Sequence, residues 1–145
     1  MIIVDSSLNE EVFNTVNDPN FNSLNINYIK VDQAFPGEAR NIGANRAQGD
    51  WLAFLDSKTV PEKNWLETCF KMIKSQNVDV VFGLTEYKGN TYFQKILQAA
   101  TFGKIGHETT PGSVIKKEIY RNSNLFIEGV RTADDLFWRK KLKIR

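Results

Sequence analysis

The stretch GDWLAFLDSKTVPEKNWLE, residues 49–67, decides the fold. Its first half, DWLAFLD, is apolar enough to be a strand covered on both faces, and it ends in the polar tip Asp56–Lys58. Thr59 and Glu62 then have the spacing of a capping box, which predicts that a helix begins there. Because ligands of open α/β sheets bind beyond the carboxyl ends of the strands, the polar tip is a candidate site.

Apolar strand patterns alternate with helical patterns on both sides of this stretch. Strand patterns cover 1–4, 26–31, 50–56, 78–84 and 113–115, and helical patterns cover 9–16, 38–48, 92–100, 116–122 and 134–143. A glycine-bracketed segment, GKIGHETTPG (103–112), is predicted to be a loop and holds the sole histidine, His107. The alternation predicts an α/β fold with a mostly parallel sheet and helices on both faces.

The bulk composition is that of an ordinary globular domain. The chain has 145 residues and a net charge of +2, which gives no reason to expect a nucleic-acid partner. Its single cysteine, Cys69, excludes an intrachain disulfide, fits a reducing compartment and falls on the apolar face of a predicted helix. No stretch is apolar enough for a membrane span. The three tryptophans are interpreted as packing residues.

Three motifs follow one another in a specific order. IIVDSS (2–7), PGEARNIGANRAQGDWLAFLDSKTVPEKNWLE (36–67) and GVRTADDLFWRKKL (129–142) together resemble a family 2 glycosyltransferase over residues 1 to 142. The resemblance implies a GT-A-like, three-layer α/β/α fold and transfer of a sugar from a nucleotide-diphosphate donor to an acceptor hydroxyl, with inversion. The family usually has a further strand and helix before IIVD and continues past Leu142. We therefore expect one partial glycosyltransferase-like domain over 1–145.

The resemblance assigns five residues to the donor, which are Asp5, Arg40, Asn41, Asp56 and Lys58. Asp5 stands where the family has an aspartate that bonds the uracil or ribose, and a carboxylate accepts well from N–H and O–H donors. The alternative is that Asp5 or Ser6 caps the next helix. Arg40 and Asn41 begin a helix, where an arginine can clamp a pyrophosphate. Arg40 could equally form an ordinary surface ion pair.

Asp56 and Lys58 occupy the family's D-x-D motif, whose last aspartate usually ligates Mn²⁺ or Mg²⁺. Lysine cannot ligate a metal while protonated, and its charge repels a dication. Three interpretations remain open. Lys58 replaces the metal against the leaving diphosphate, Asp56 alone holds a metal with Lys58 turned aside, or the site is inactive.

The pair Asp134–Asp135 resembles the family's E-D motif, with Asp135 as the general base that deprotonates the acceptor hydroxyl and Asp134 as the preceding acid. The alternative is that two acids in a first helical turn only complement the helix dipole.

The expected partners are a nucleotide-diphosphate sugar and a saccharide or lipid-linked acceptor, with homo-oligomerisation through an open sheet edge as a further possibility. The expected location is the cytoplasm, with the basic tail 139–145 either touching the inner face of the membrane or forming a solvated helix face. One rival is a nucleotide-sugar-binding module without activity. A dinucleotide-binding oxidoreductase is disfavoured because the first turn, DSSLNEE, lacks G-x-G-x-x-G.

Overall fold

The computed structural model describes residues 1–100, 106–123 and 125–143 of the chain. In chain order the elements are β1 (Ile2–Asp5), α1 (Glu11–Val16), a 3-10 turn (Pro19–Phe21), β2 (Asn27–Lys30), α2 (Pro36–Arg46), β3 (Trp51–Ala53), α3 (Trp65–Gln76), β4 (Val80–Thr85), α4 (Tyr92–Ala100), β5 (His107–Lys116), α5 (Lys117–Asn122) and α6 (Leu136–Lys143). Strands and helices alternate along most of the chain, as the apolar patterns predict.

The chain divides into two compact units. The first unit joins Met1–Asp50 to Lys117–Arg145, and the second unit is Trp51–Lys116. The first unit therefore brings together residues from both ends of the sequence. The single domain over 1–145 stays a prediction.

The first unit contains a parallel pair of strands. β1 and β2 run side by side in a register that places Asp5 opposite Lys30 and Val4 opposite Ile29. Because the two strands are parallel, their carboxyl ends lie at the same edge. The polar side chains that finish β1 and β2 are consequently neighbours.

An aromatic cluster forms the core of the first unit. Tyr120, Phe126 and Trp138 have 1%, 2% and 1% of their surface exposed, and the Phe126 and Trp138 ring centroids are 4.7 Å apart. The indole N–H of Trp138 donates to the Ser123 hydroxyl at 3.1 Å, so its polar atom is satisfied within the core. The interpretation of Trp138 as a packing residue is confirmed.

β5 is the central strand of the second unit. It pairs antiparallel with β3 on one side and with β4 on the other. The prediction of a loop over 103–112 is therefore wrong for residues 107–112, while 103–105 lie outside the described residues. Glycine and proline suggested a loop, but Gly112 with φ +82° and Pro111 lie inside the strand, where the pairing with β4 shifts register.

The core of the second unit is built on α3. Cys69, Ile73 and Val114 are buried, and Trp51 and Trp65 pack against them. The predicted places of Cys69 and of these two tryptophans are confirmed. Burial raises the pKa of the Cys69 thiol, which suits an inert core residue.

Three predicted element boundaries are wrong. The capping-box pattern at Thr59 does not begin a helix, and α3 begins only at Trp65. The indole N–H of Trp65 donates to the Gly112 carbonyl at 2.8 Å. β3 spans only Trp51–Ala53, which is shorter than the predicted strand 50–56. The last helix begins at Leu136, so Asp134 and Asp135 precede it.

Two glycines of α2 provide a matched test of the packing in the first unit. A Cβ at Gly37 would lie 2.3 Å from the Ile127 carbonyl oxygen, whereas a Cβ at Gly43 would meet Val4 at an ordinary 3.5 Å. We expect Gly37→Ala to lower the free energy of unfolding by about 3 kcal/mol. Gly43→Ala should be neutral or stabilising by up to about 1 kcal/mol, because alanine favours a helix. Urea unfolding of both variants checks this, and equal effects would contradict the close contact.

Candidate functional site

Asp5 ends β1 and is surrounded by hydrogen-bond donors. Its carboxylate is 5% exposed. One oxygen accepts from the Ser7 amide at 2.8 Å, and the other accepts from the Tyr28 hydroxyl at 2.7 Å and the Lys30 ammonium at 3.0 Å. The helix-capping alternative for Asp5 and Ser6 is wrong, because α1 begins only at Glu11, after Glu10.

These contacts control the charge of Asp5. Burial by itself raises the pKa of the carboxyl, but the hydrogen bonds from Ser7, Tyr28 and Lys30 outweigh it and hold the pKa well below the usual range. The same hydrogen bond to Asp5 raises the pKa of Tyr28 to about 12. Asp5 is therefore an ionised acceptor at neutral pH, oriented by two residues of β2.

Arg40 and Asp134 form an ion pair within the first unit. The Arg40 Nη1 atom lies 2.5 Å from the Asp134 Oδ2 atom, and the side chains are only 11% and 7% exposed. The guanidinium carbon of Arg40 also lies 5.3 Å from the centre of the Phe126 ring. The structure thus brings a predicted donor ligand and a predicted catalytic acid together.

Asn41 is 3% exposed, and its side chain makes four hydrogen bonds to described residues. Its carbonyl oxygen accepts from the Tyr120 hydroxyl at 2.6 Å and from the Phe126 amide at 3.1 Å. Its amide nitrogen donates to the Phe126 carbonyl at 3.0 Å and to the Glu128 carboxylate at 2.9 Å. These four bonds use the whole hydrogen-bonding capacity of an asparagine side chain.

Asp135 stands at the start of α6. Its backbone carbonyl accepts from the Arg139 amide at 2.9 Å, and its side chain pairs with the Arg139 guanidinium at 3.1 Å. The Asp135 and Arg139 side chains are 19% and 18% exposed, so the carboxylate keeps part of its surface in contact with solvent. The helix-dipole alternative also remains compatible with this position.

Asp56 and Lys58 lie in the second unit and are exposed. The Asp56 carbonyl accepts from the Thr59 amide at 2.9 Å, which closes a turn after the strand has ended. Because Lys58 is exposed to solvent, its position does not by itself favour the interpretation that it replaces the metal. Within the described residues, no group of three or more His, Cys, Asp or Glu side chains is placed to hold a metal ion. A single carboxylate, with a lysine two residues later in the sequence, does not fit a dication held by the protein alone.

His107 lies in β5, where its ring stacks on Tyr87 with centroids 5.3 Å apart and an interplanar angle of 20°. His107 is therefore a half-buried strand residue whose ring packs against the chain that follows β4. This placement is unlike the lone loop histidine that the sequence suggests.

Sequence reasoning missed the residues that support the site. Tyr28 and Lys30 hold Asp5, while Glu128 and Phe126 hold Asn41 and Arg40. The sequence could have predicted Lys30. It is the last residue of β2, and the carboxyl ends of neighbouring parallel strands such as β1 and β2 lie together. The others depend on contacts between distant parts of the sequence.

Comparison with known proteins places the chain in a family. A family model described as glycosyl transferase family 2 matches residues 2–129, which include Asp5, Arg40, Asn41, Asp56 and Lys58 but not Asp134 or Asp135.

Two curated relatives agree with this match. Glycosyltransferase AglE from Haloferax volcanii is 32% identical over 99 residues, which is 68% of this chain and 32% of that protein. Glycosyltransferase GlyG from Streptococcus pneumoniae is 32% identical over 60 residues, which is 39% of this chain and 20% of that protein. The chain spans about a third of the first relative's length and a fifth of the second's.

The fold also matches solved structures. Residues 1–349 of TarS from S. aureus, solved alone and in complex with UDP, superpose with a TM-score of 0.68 at 20% sequence identity. The superposition covers 97% of this chain and 45% of that chain. It confirms the GT-A-like α/β fold that the motifs predict. The family model, the relatives and the fold agree, and the chain belongs to glycosyl transferase family 2.

Proposed function

We propose that this domain transfers a sugar from a nucleotide-diphosphate donor to an acceptor hydroxyl, with inversion at the anomeric carbon. The observation that carries the proposal is Asp5, a buried and ionised carboxylate at the carboxyl end of β1 within the matched family region. A carboxylate held in this state accepts hydrogen bonds from the N–H of a base or the hydroxyls of a ribose. The fold match to a protein solved with UDP supports a uridine nucleotide as the first donor to test.

In the proposed reaction the acceptor oxygen attacks the anomeric carbon as the bond to the diphosphate breaks. Asp135 takes the proton of the acceptor hydroxyl, and the nucleoside diphosphate leaves with the bonding electrons. In this proposal Lys58 contributes its ammonium to the developing charge on the diphosphate, and Asp56 is a further donor-binding residue. The residues present do not fit a metal held by the protein, so no step is assigned to Mn²⁺ or Mg²⁺.

We also propose a cytoplasmic location, with peripheral contact to the membrane if the acceptor is lipid-linked. No described helix has the length and apolar character needed to cross a bilayer. The basic sequence of α6 suits an anionic lipid surface and equally suits a solvated helix face. Homo-oligomerisation also stays a prediction.

Titration with UDP tests the donor site directly. We expect UDP to bind without metal and Lys58→Ala to weaken binding about tenfold or more, because the proposal assigns this ammonium to the diphosphate charge. Isothermal titration calorimetry with and without Mn²⁺ measures this, and Lys63→Ala, an exposed lysine in the same segment, is the matched control. Binding that needs Mn²⁺ would restore a metal mechanism through Asp56. Binding without any turnover would favour the module without activity.

The role of Asp135 is tested by separating turnover from binding. Asp135→Asn keeps the shape of the side chain but removes the base, so turnover should fall by about a hundredfold or more while UDP affinity stays unchanged. Release of UDP from a panel of UDP-sugars in the presence of acceptors measures turnover. Full activity in Asp135→Asn would contradict the role of Asp135 as general base. Its interaction with the dipole of α6 would then be the remaining explanation.

Tyr28 offers a test of the charge at Asp5. The folded-state pKa of Asp5 lies below the ordinary 3.8, so the carboxylate stabilises the fold above that pH and loses its effect as pH falls towards the folded value. Tyr28→Phe removes one of the hydrogen bonds that lower this pKa. The variant should be less stable than wild type at about pH 7, and the difference should shrink only at about pH 1, as Asp5 takes up a proton in the folded state.

Urea unfolding at both pH values measures the difference, with Tyr92→Phe at an 83% exposed position as the control. A difference that stays the same at both pH values would show that Tyr28 stabilises the fold only by packing.

A further inference from the structure

We infer that Arg40 and Asn41 are positioning residues that hold the segment 126–135, and with it Asp135, rather than ligands of the donor diphosphate. The inference rests on the proposed function for the meaning of Asp135. Its structural part rests on contacts within the first unit alone. Arg40 and Asn41, which both lie in the matched family region, would then position the general base and would not bind the donor.

The buried face of α2 is unusual for an amphipathic helix. Gly37, Asn41 and Ala44 are buried, and Arg40 lies with them at helical spacing, so the face contains no large apolar side chain. Such a face gains little from general apolar packing. It is suited to a partner that offers matching polar groups, and the segment 126–134 offers them.

Three side chains of α2 bind that segment in turn. Glu38 accepts from the Gly129 amide at 3.0 Å, Arg40 pairs with Asp134 at 2.5 Å, and Asn41 binds both Phe126 and Glu128. These contacts are spread from one end of the segment to the other. They replace the ladder of hydrogen bonds that a helix or strand would provide.

Close backbone approach completes the attachment. Gly37 has no Cβ, and a Cβ there would lie 2.3 Å from the Ile127 carbonyl oxygen. Within the segment the Ile127 amide reaches the Asp134 carbonyl at 3.4 Å, while Gly129 and Ala133 adopt φ values of +75° and +65°. These contacts fix the backbone conformation of the segment 126–135 between α2 and the start of α6.

The contacts of Arg40 and Asn41 argue against donor binding. Asn41 has already used all of its donors and acceptors within the protein. If Arg40 turned to a diphosphate, the Asp134 carboxylate would stay behind as a buried charge without its guanidinium partner. Because Asp135 follows Asp134 directly, fixing Asp134 fixes the backbone from which the base projects.

The experiment compares Arg40→Gln, Asp134→Asn and the double variant with wild type. Arg46→Gln, an exposed arginine on the last turn of α2, is the matched control. Three quantities are measured for each protein. They are the dissociation constant for UDP, the rate of UDP release from UDP-sugars, and amide hydrogen exchange of residues 127–139.

If Arg40 positions the base, Arg40→Gln and Asp134→Asn should each lower turnover about tenfold or more while UDP affinity changes by less than about twofold. The double variant should be no worse than the single ones, because both changes remove the same pair. Amide exchange of 127–139 should speed up in these variants and not in Arg46→Gln. If a single variant does not fold, the double variant can be measured in its place, because it leaves neither charge of the pair buried without its partner.

Weakened UDP binding in Arg40→Gln with unchanged binding in Asp134→Asn would overturn the inference and return Arg40 to the donor. A wild-type protein that binds no nucleoside diphosphate would refute the proposed function instead. In that case the exchange measurement still decides whether Arg40 holds the segment. Unchanged exchange in Arg40→Gln would overturn that part as well.

Discussion

The ion pair between Arg40 and Asp134 is the constraint on which the first unit depends. It joins residues 94 positions apart, and both side chains are almost fully withdrawn from water. Such a pair is favourable only while both partners are in place, because either charge alone would be costly to bury. The pair therefore holds an irregular segment against α2 in a single register. Asn41 and Glu38 confirm that register with hydrogen bonds of their own.

The sequence predicts those elements whose signal is local. α4 has the predicted bounds, Tyr92–Ala100, because its apolar residues recur at helical spacing. β5 was missed over His107–Gly112, because its pairing with β4 depends on residues far away in sequence and its glycine and proline imitate a loop. The capping-box pattern at Thr59 failed for a related reason, since the bond from Trp65 to Gly112 contributes to where α3 begins. Tertiary contacts override local patterns in both cases.

In the candidate site too, features with a local sequence signal could be predicted, and features that depend on distant contacts could not. Asp5 could be found from its place at the end of a strand, but its charge state could not, because Tyr28 and Lys30 reach it only through the parallel register. Arg40 and Asn41 could be recognised as polar residues on a helix of small side chains. Their partners at Phe126 and Asp134 could not, because no periodicity connects α2 to the end of the chain.

Asp5 and Lys58 carry their charges in two different environments. Asp5 is ionised, buried and already oriented in the protein alone, so in the proposed function a base or ribose would meet an acceptor that needs no rearrangement. Lys58 is exposed, and its attraction for a phosphate stays weak while water screens both charges. That attraction strengthens only when the donor displaces water, so in the proposed reaction the ammonium acts mainly after the nucleotide is bound.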